Sequence, residues 1–77
     1  MKELLSYIIK GITGREDFTI EETQEEDKLI FNVKADPDYV GLIIGKGGKT
    51  IKSIQNIMRV KGRLERKSVY VNIADSS

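Results

Sequence analysis

The chain has 77 residues, with 13 basic and 12 acidic side chains, and it contains no cysteine, histidine or tryptophan. A chain of this length forms one small domain, which buries only about 60% of the surface of its unfolded state. Without cysteine or histidine there is no thiol nucleophile, no disulfide framework, no usual zinc site and no imidazole base. We therefore expect no enzyme, and no cofactor, metal or small-molecule substrate.

The net charge of +1 conceals an uneven distribution along the chain. Residues 1–39 carry five basic and ten acidic side chains, whereas residues 40–77 carry eight basic and two acidic ones. A basic half favours a surface that meets an anionic partner. The alternative is that two oppositely charged faces aid solubility or self-association.

Neither apolar stretch of the sequence is typical of a signal peptide or a membrane span. Residues 4–9 are interrupted by Ser6 and Tyr7, and they precede no small-residue cleavage site. Residues 40–44 include Gly41 and fall far short of membrane-spanning length. We expect a cytoplasmic protein without membrane association.

The first half of the chain predicts a helix and a hairpin. Apolar residues at helical spacing favour a helix that ends at Gly11 and Gly14: Leu4, Leu5, Ile8, Ile9 and Ile12. Phe18 and Ile20 then alternate with polar residues, and residues 25–28 form a polar turn. In the second strand one face is apolar, with Leu29, Phe31, Val33 and Ala35. This alternation predicts two antiparallel strands with one buried face.

Asp36 followed by Pro37 is typical of a helix start, because aspartate caps the helix and proline suits its first position. The inner side of this short helix is expected to carry Val40, Ile43 and Ile44. After the glycine-rich residues 45–48 a second helix is expected. Its apolar face comprises Ile51, Ile54, Ile57 and Met58, and its polar face comprises Lys49, Lys52, Ser53, Asn56 and Arg59.

The end of the chain predicts a loop and a last strand. Gly62 is the expected end of the helix, residues 63–67 form a basic loop, and Val69, Val71 and Ile73 alternate with polar residues in a strand. The predicted order is therefore α-β-β-α-α-β. We expect one α+β domain over residues 1–77, with a three-stranded sheet and three helices packed on one face.

The glycine-rich segment predicts a phosphate site. Gly45 and Gly48 permit a sharp turn between two helices and let another backbone approach closely. The turn also begins a helix, whose free N–H groups and dipole favour an anion. Lys46 and Lys49 add positive charge at the same place.

Two nucleotide-binding patterns do not fit this segment. The P-loop pattern G-x-x-x-x-G-K-[ST] requires glycine at position 43, where the chain has Ile43. The dinucleotide pattern G-x-G-x-x-G requires a glycine where the chain has Thr50. Both patterns also follow a strand, whereas this loop joins two helices.

Residues 42–51 resemble the core motif of KH domains, [IVL]-I-G-x-x-G-x-x-[IVL], without departure from it. The helix on each side, the basic residues and the strand–helix–helix–strand core over residues 29–74 strengthen the resemblance. The complete order of elements is similar to the type II, prokaryotic arrangement. The opening Met-Lys-Glu-Leu-Leu and the segment Asp36-Pro37-Asp38 make the chain similar to the KhpA family of small bacterial RNA-binding proteins.

This resemblance implies a binding site for single-stranded RNA. In KH domains the loop clamps the sugar–phosphate backbone of about four nucleotides, and the bases turn into an apolar groove. The residues that match the clamp, the groove and the phosphate contacts are Gly41, Ile44, Gly45, Lys46, Gly47, Gly48, Lys49, Ile51 and Lys52. Residues 62–67 match the variable loop of the family, so Arg63, Arg66 and Lys67 are expected to extend the electrostatic contact.

Each of these assignments has a structural alternative. Ile44 and Ile51 can equally be core residues, and Lys52 and Arg59 can be a solvated helix face. Stacking of bases on Tyr7, Tyr39 or Tyr70 is the less favoured interpretation of these aromatic residues.

A further alternative is an adaptor that acts mainly through a protein partner. The resemblance to the family implies homodimers, or association with a larger KH-containing protein of the KhpB or Jag type. The favoured interpretation is an RNA-binding protein that acts as an RNA chaperone or post-transcriptional regulator, and the sequence leaves its targets open.

Overall fold

The computed structural model describes residues 1–75. Its elements are α1 (Lys2–Thr13), β1 (Thr19–Glu25), β2 (Lys28–Ala35), α2 (Pro37–Ile44), α3 (Lys49–Leu64) and β3 (Ser68–Asp75). A single 3-10 turn, Lys46–Gly48, joins α2 to α3. This order confirms the predicted α-β-β-α-α-β arrangement of a type II KH fold. None of the helices within residues 1–75 is long and apolar enough to cross a membrane.

The three strands form one sheet in the order β1-β2-β3. β1 pairs with β2 in antiparallel register, as the hairpin predicted, whereas β2 pairs with β3 in parallel register. Parallel neighbours need a crossover connection, and here α2, the glycine loop and α3 supply it. The crossover covers one face of the sheet and leaves β3 as an edge strand.

The core lies between the helices and the covered face of the sheet. In β2 alternate residues are buried, which confirms the predicted apolar face. The buried hydrophobic residues are Leu5, Ile9, Leu29, Phe31, Val33, Ala35, Tyr39, Ile43, Ile54, Met58, Val69 and Val71. Every helix and two of the strands contribute to this set, so the helices and the sheet are stabilised by the same cluster.

Tyr39 is a central core residue, although the sequence prediction of the inner face of α2 did not include it. Its side chain is fully buried. Its hydroxyl donates to the carbonyl oxygen of Arg15 at 2.7 Å and lies 2.6 Å from the hydroxyl oxygen of Thr13. The guanidinium carbon of Arg15 lies 4.9 Å from the centre of the ring. Tyr39 therefore anchors α2 to the segment after α1, and it is not available to stack on a base.

The start of α2 confirms one prediction, and its inner face corrects another. A carboxylate oxygen of Asp36 accepts a hydrogen bond from the backbone N–H of Tyr39 at 3.1 Å, as expected of an N-cap. Ile43 is buried, but Val40 is half-buried and Ile44 is 36% exposed. The prediction that Ile44 faces inward was wrong, because Tyr39 takes the central position and turns Ile44 toward solvent.

The predicted end of α3 was also wrong, because the helix continues through Gly62 to Leu64. Gly62 is buried, and a Cβ atom there would lie 2.5 Å from a methyl carbon of Val69 and 2.7 Å from the carbonyl oxygen of Lys67. This glycine is thus needed for close packing of α3 on β3. The connection to β3 comprises only residues 65–67, not 62–67.

The apolar face predicted for α3 is wider than the face that is buried in the structure. Ile54 and Met58 are buried and Ile51 is half-buried, as expected. Ile57, however, is 47% exposed. It is not among the residues that form or pack against the core.

Candidate nucleic-acid interface

The loop between α2 and α3 adopts a backbone conformation that its glycines permit. Gly45 has φ 75° and ψ 174°, a region that is essentially restricted to glycine. A Cβ atom on Gly45 would overlap the Thr50 hydroxyl and lie 2.7 Å from the Thr50 Cβ. Gly47 and Gly48 follow with φ values of 66° and 77° in the left-handed region. The loop therefore turns sharply and rests its first glycine directly against α3.

The tip of this loop faces solvent beside the start of a helix. Lys46 and Gly47 are exposed, whereas Gly45 and Gly48 are half-buried. Gly48 is the N-cap of α3, and it supplies no side-chain acceptor for the first N–H groups of that helix. The positive end of the dipole of α3 thus lies next to an exposed lysine, an arrangement that favours an anion.

Apolar side chains lie beside the loop where α2, α3 and β3 contact one another. Val40 and Ile44 are one turn apart on α2, so their side chains share a face of the helix. Ile51 on α3 and Ile73 on β3 are half-buried and pack against the margin of the core. Of the predicted groove residues, Gly41 and Ile44 are exposed and Ile51 is half-buried. These residues form a partly exposed apolar surface beside the glycine loop.

Gln55 lies on α3 against the edge strand β3, and the sequence prediction missed it. Its side-chain amide donates to the carbonyl oxygen of Val71 at 3.1 Å, on the unpaired edge of β3. It lines a cavity of about 100 Å³ with Arg59 and residues 69–72. Its position four residues after Ile51, between the apolar and basic faces, is the signal that could have identified it.

Two groups of cations lie at opposite ends of α3. Lys46, Lys49 and Lys52 are exposed at the glycine loop and the first turn of the helix. The predicted secondary contacts Arg63, Arg66 and Lys67 lie at the other end. Lys49 and Arg63 are fourteen positions apart, which corresponds to about 21 Å along the helix. The fold therefore places the predicted secondary contacts at the end of α3 opposite to the loop.

The acidic side chains are concentrated elsewhere. Between residues 39 and 74 the only acidic side chain is Glu65, which lies 3.6 Å from Lys61 in an ion pair. Groups with displaced pKa values are also remote from the loop: a hydrogen bond from Arg15 lowers the pKa of Asp17 and raises that of Arg15. Within residues 1–75 no cluster of acidic side chains has the geometry of a metal site. The loop and α3 thus present a cationic surface.

Comparison with known proteins identifies relatives over nearly the whole chain. A model of the family described as "KhpA/KhpB, KH domain" matches residues 2–73. The chain is 34% identical to RNA-binding protein KhpA of Clostridium perfringens over 95% of its own length and 99% of the relative's. It is 31% identical to RNA-binding protein KhpA of Oceanobacillus iheyensis over the same shares of the two chains. It is 41% identical to the protein of that name from Chlamydia pneumoniae over 75% of this chain and 76% of the relative. The matched region includes both helices of the glycine loop and all of the sheet except the last two residues of β3, so the chain belongs to the KhpA/KhpB KH-domain family.

Proposed function

We propose that this protein binds single-stranded RNA and that the loop Gly45–Gly48 clamps the RNA backbone. The observation that carries the proposal is the exposed Lys46–Gly47 tip at the N-terminus of α3, held by glycines with positive φ. A phosphate at this tip gains hydrogen bonds from backbone N–H groups and attraction from Lys46, Lys49 and Lys52. The relatives are named RNA-binding proteins and have nearly the same length, which supports the same ligand class.

The apolar surface beside the loop suits unpaired bases. Gly41, Ile44 and Ile51 offer apolar surface and little hydrogen-bonding capacity at the side chains. A duplex keeps its bases stacked inside, whereas a single strand can turn its bases toward such a surface. Specificity for particular bases is expected to be low, because backbone contacts carry no sequence information directly.

We propose a binding role without catalysis, as an RNA chaperone or post-transcriptional regulator in the cytoplasm. Such a role requires only reversible contact with the backbone and bases of many RNAs. A sequence without histidine or cysteine supports it, since the usual bases and nucleophiles near neutral pH are lacking. The absence of an enzymatic activity, a cofactor and a metal stays a prediction.

The test is a double charge substitution at the tip of the loop. Lys46→Asp with Gly47→Asp places two carboxylates where the phosphate must approach. Affinity for single-stranded RNA should fall more than about a hundredfold, because like charges brought together cost several kcal/mol. Binding is measured by fluorescence anisotropy with a labelled uridine oligonucleotide. Circular dichroism should be unchanged, although aspartate at φ 66° lowers stability by about 1 kcal/mol.

Two further variants separate a local effect from a general one. Lys46→Asp alone has no backbone penalty, and it should retain most of the loss. Lys2→Asp makes the same change of charge on the exposed first residue of α1, and RNA affinity should stay within about twofold because Lys2 belongs neither to the glycine loop nor to α3. Unchanged RNA affinity in a folded double variant would sink the assignment of the loop.

We also propose that the protein associates with a second copy of itself or with a larger KH-containing protein of the KhpB or Jag type. The supporting observation is an exposed apolar stripe on α3 that consists of Ile57, Val60 and Leu64 at helical spacing. The stripe lies on a different side of α3 from Lys52. Size exclusion coupled to light scattering should report a dimer for the wild type and a monomer for Val60→Glu. A monomeric wild type would exclude self-association, and only association with the larger KH-containing protein would then remain to be tested.

A further inference from the structure

A second cavity lies at the C-terminal end of α3, away from the glycine loop. Its volume is about 220 Å³, and it lies between the last turns of the helix and the beginning of the edge strand β3. The lining residues are Arg59, Arg63, Lys67, Ser68, Val69 and Tyr70. Arg59 and Arg63 are one turn apart on α3, so both guanidinium groups border the same opening.

Close packing of α3 on β3 builds this cavity. Gly62 lies between the two arginines in sequence, and its missing side chain lets the helix contact Val69. The backbone N–H of Lys67 donates to the carbonyl oxygen of Gly62 at 2.8 Å, which returns the chain directly against the helix. Arg59, Arg63 and Lys67 are therefore held around one opening by the backbone.

The charges around the cavity have no carboxylate partner among the side chains that the structure describes. Glu65 is the nearest acidic residue in sequence, and its carboxylate pairs with Lys61 on another side of the helix. Three cations around one opening repel each other, and an anion placed between them removes the repulsion. Arginine suits a phosphate in particular, because its planar fork can donate two parallel hydrogen bonds.

Tyr70 gives the cavity an aromatic wall. Its side chain is 50% exposed, and it lies on the edge strand next to Ile30 of β2. Within residues 1–75 the hydroxyl group of Tyr70 forms no hydrogen bond. An exposed ring beside unpaired cations is the combination that binds a nucleotide, since the base stacks on the ring while the cations hold the phosphate.

We propose that this cavity binds one further nucleotide of the RNA strand that the glycine loop clamps. The phosphate contacts Arg59, Arg63 and Lys67, and the base stacks on Tyr70. The proposal rests on the proposed function and extends it, because it makes the bound strand longer than the segment at the loop. It also revises the expected secondary contacts: Arg66 lies at the turn with φ 58° and does not line the cavity.

The experiment compares RNAs of two lengths. Uridine oligonucleotides of about four nucleotides, the length that a KH loop clamps, and of about twice that length are titrated against each variant. Arg59→Gln combined with Arg63→Gln should weaken binding of the longer RNA about tenfold and change the shorter one less than twofold. For the longer RNA the slope of log K against log salt should fall by about 0.7 for each phosphate that the variant no longer neutralises.

Variants at Tyr70 test the stacking. Tyr70→Ala should weaken binding of the longer RNA about tenfold, whereas Tyr70→Phe, which keeps the ring, should bind like the wild type. Lys61→Gln is the control for charge, because it removes one positive charge from α3 at a residue that lies outside the cavity and pairs with Glu65. It should change either affinity less than twofold.

Three results would overturn the proposal. The first is an equal loss of affinity for both RNA lengths in the double arginine variant, and the second is no loss for either. The third is an effect of Lys61→Gln as large as that of the cavity variants. The proposed function fails separately: it fails when Lys46→Asp leaves binding of the shorter RNA intact, whatever the arginine variants do.

Discussion

The two ends of α3 both present cations, but they are built by different means. At the N-terminal end the backbone shapes the cationic surface, because Gly45, Gly47 and Gly48 have positive φ and leave the tip of the loop bare. At the C-terminal end the side chains of Arg59, Arg63 and Lys67 shape it, and Gly62 is needed there for space alone. Gly47 and Gly48 are thus required by conformation, Gly62 by packing and Gly45 by both, and substitution distinguishes these causes.

The greatest loss of stability is expected from a substitution in the glycine loop, at the N-terminal end of α3. Gly45→Ala should lower the free energy of unfolding by roughly 3 kcal/mol or more, because the backbone region costs about 1–3 kcal/mol and the overlap with Thr50 adds a similar amount. Gly47 has φ 66°, but a Cβ atom added there meets no atom within 4 Å. Gly47→Ala should therefore lower the free energy of unfolding by only about 1–2 kcal/mol. Urea denaturation measures both values. Equal losses would contradict the role of Thr50.

A substitution at Gly62 tests the packing of α3 on β3, and the same substitution at Gly11 is the matched control. Both lie inside helices, but a Cβ on Gly11 meets nothing within 4 Å, whereas one on Gly62 meets Val69 and Lys67. Gly62→Ala should therefore destabilise by about 1–2 kcal/mol, since overpacking outweighs the gain in helix propensity. Gly11→Ala should stabilise by about 0.4–1 kcal/mol. Thermal unfolding should show melting temperatures that move in opposite directions, and stabilisation by Gly62→Ala would refute the packing argument.

A weaker effect distinguishes the two sides of α3. Lys52 and Lys61 are both exposed, and nine positions place them about 180° apart around the helix axis. Lys52→Gln should weaken RNA binding severalfold and reduce the salt slope by about 0.7, as expected when one phosphate is no longer neutralised. Lys61→Gln removes the same charge from the side that carries Glu65, and the slope should be unchanged. RNA titrations between about 50 and 200 mM salt measure the slope for each variant. Equal slopes for the two variants would show that RNA affinity depends only on the net charge of the protein.

The elements of this fold were predictable because their signals are local. Helical spacing predicted α1, strict alternation predicted β2, and Asp36 with Pro37 predicted the start of α2. In each case the hydrogen bonds or the buried face depend on residues close in sequence. The glycine loop was predictable for the same reason, since positive φ values favour glycine wherever they occur.

The errors concern residues whose environment is set by distant parts of the chain. The hydroxyl of the buried Tyr39 finds its acceptor in the carbonyl oxygen of Arg15, 24 positions earlier, and no residue close in sequence indicates this. Ile44 is exposed as a consequence. Gly62 resembles a helix end in sequence, but it lies within α3 because Val69 and Lys67 return against it.

The order of elements, the position of the glycine loop and the basic character of the second half follow from the amino-acid sequence alone. They rest on periodicity, backbone preference and charge, which are properties of short segments. Three other features depend on the tertiary fold: β3 pairs in parallel with β2, Gln55 reaches the edge of the sheet, and Arg59 and Tyr70 border one cavity. Those features require segments distant in sequence to pack together, because a cavity and a strand edge are formed only between elements.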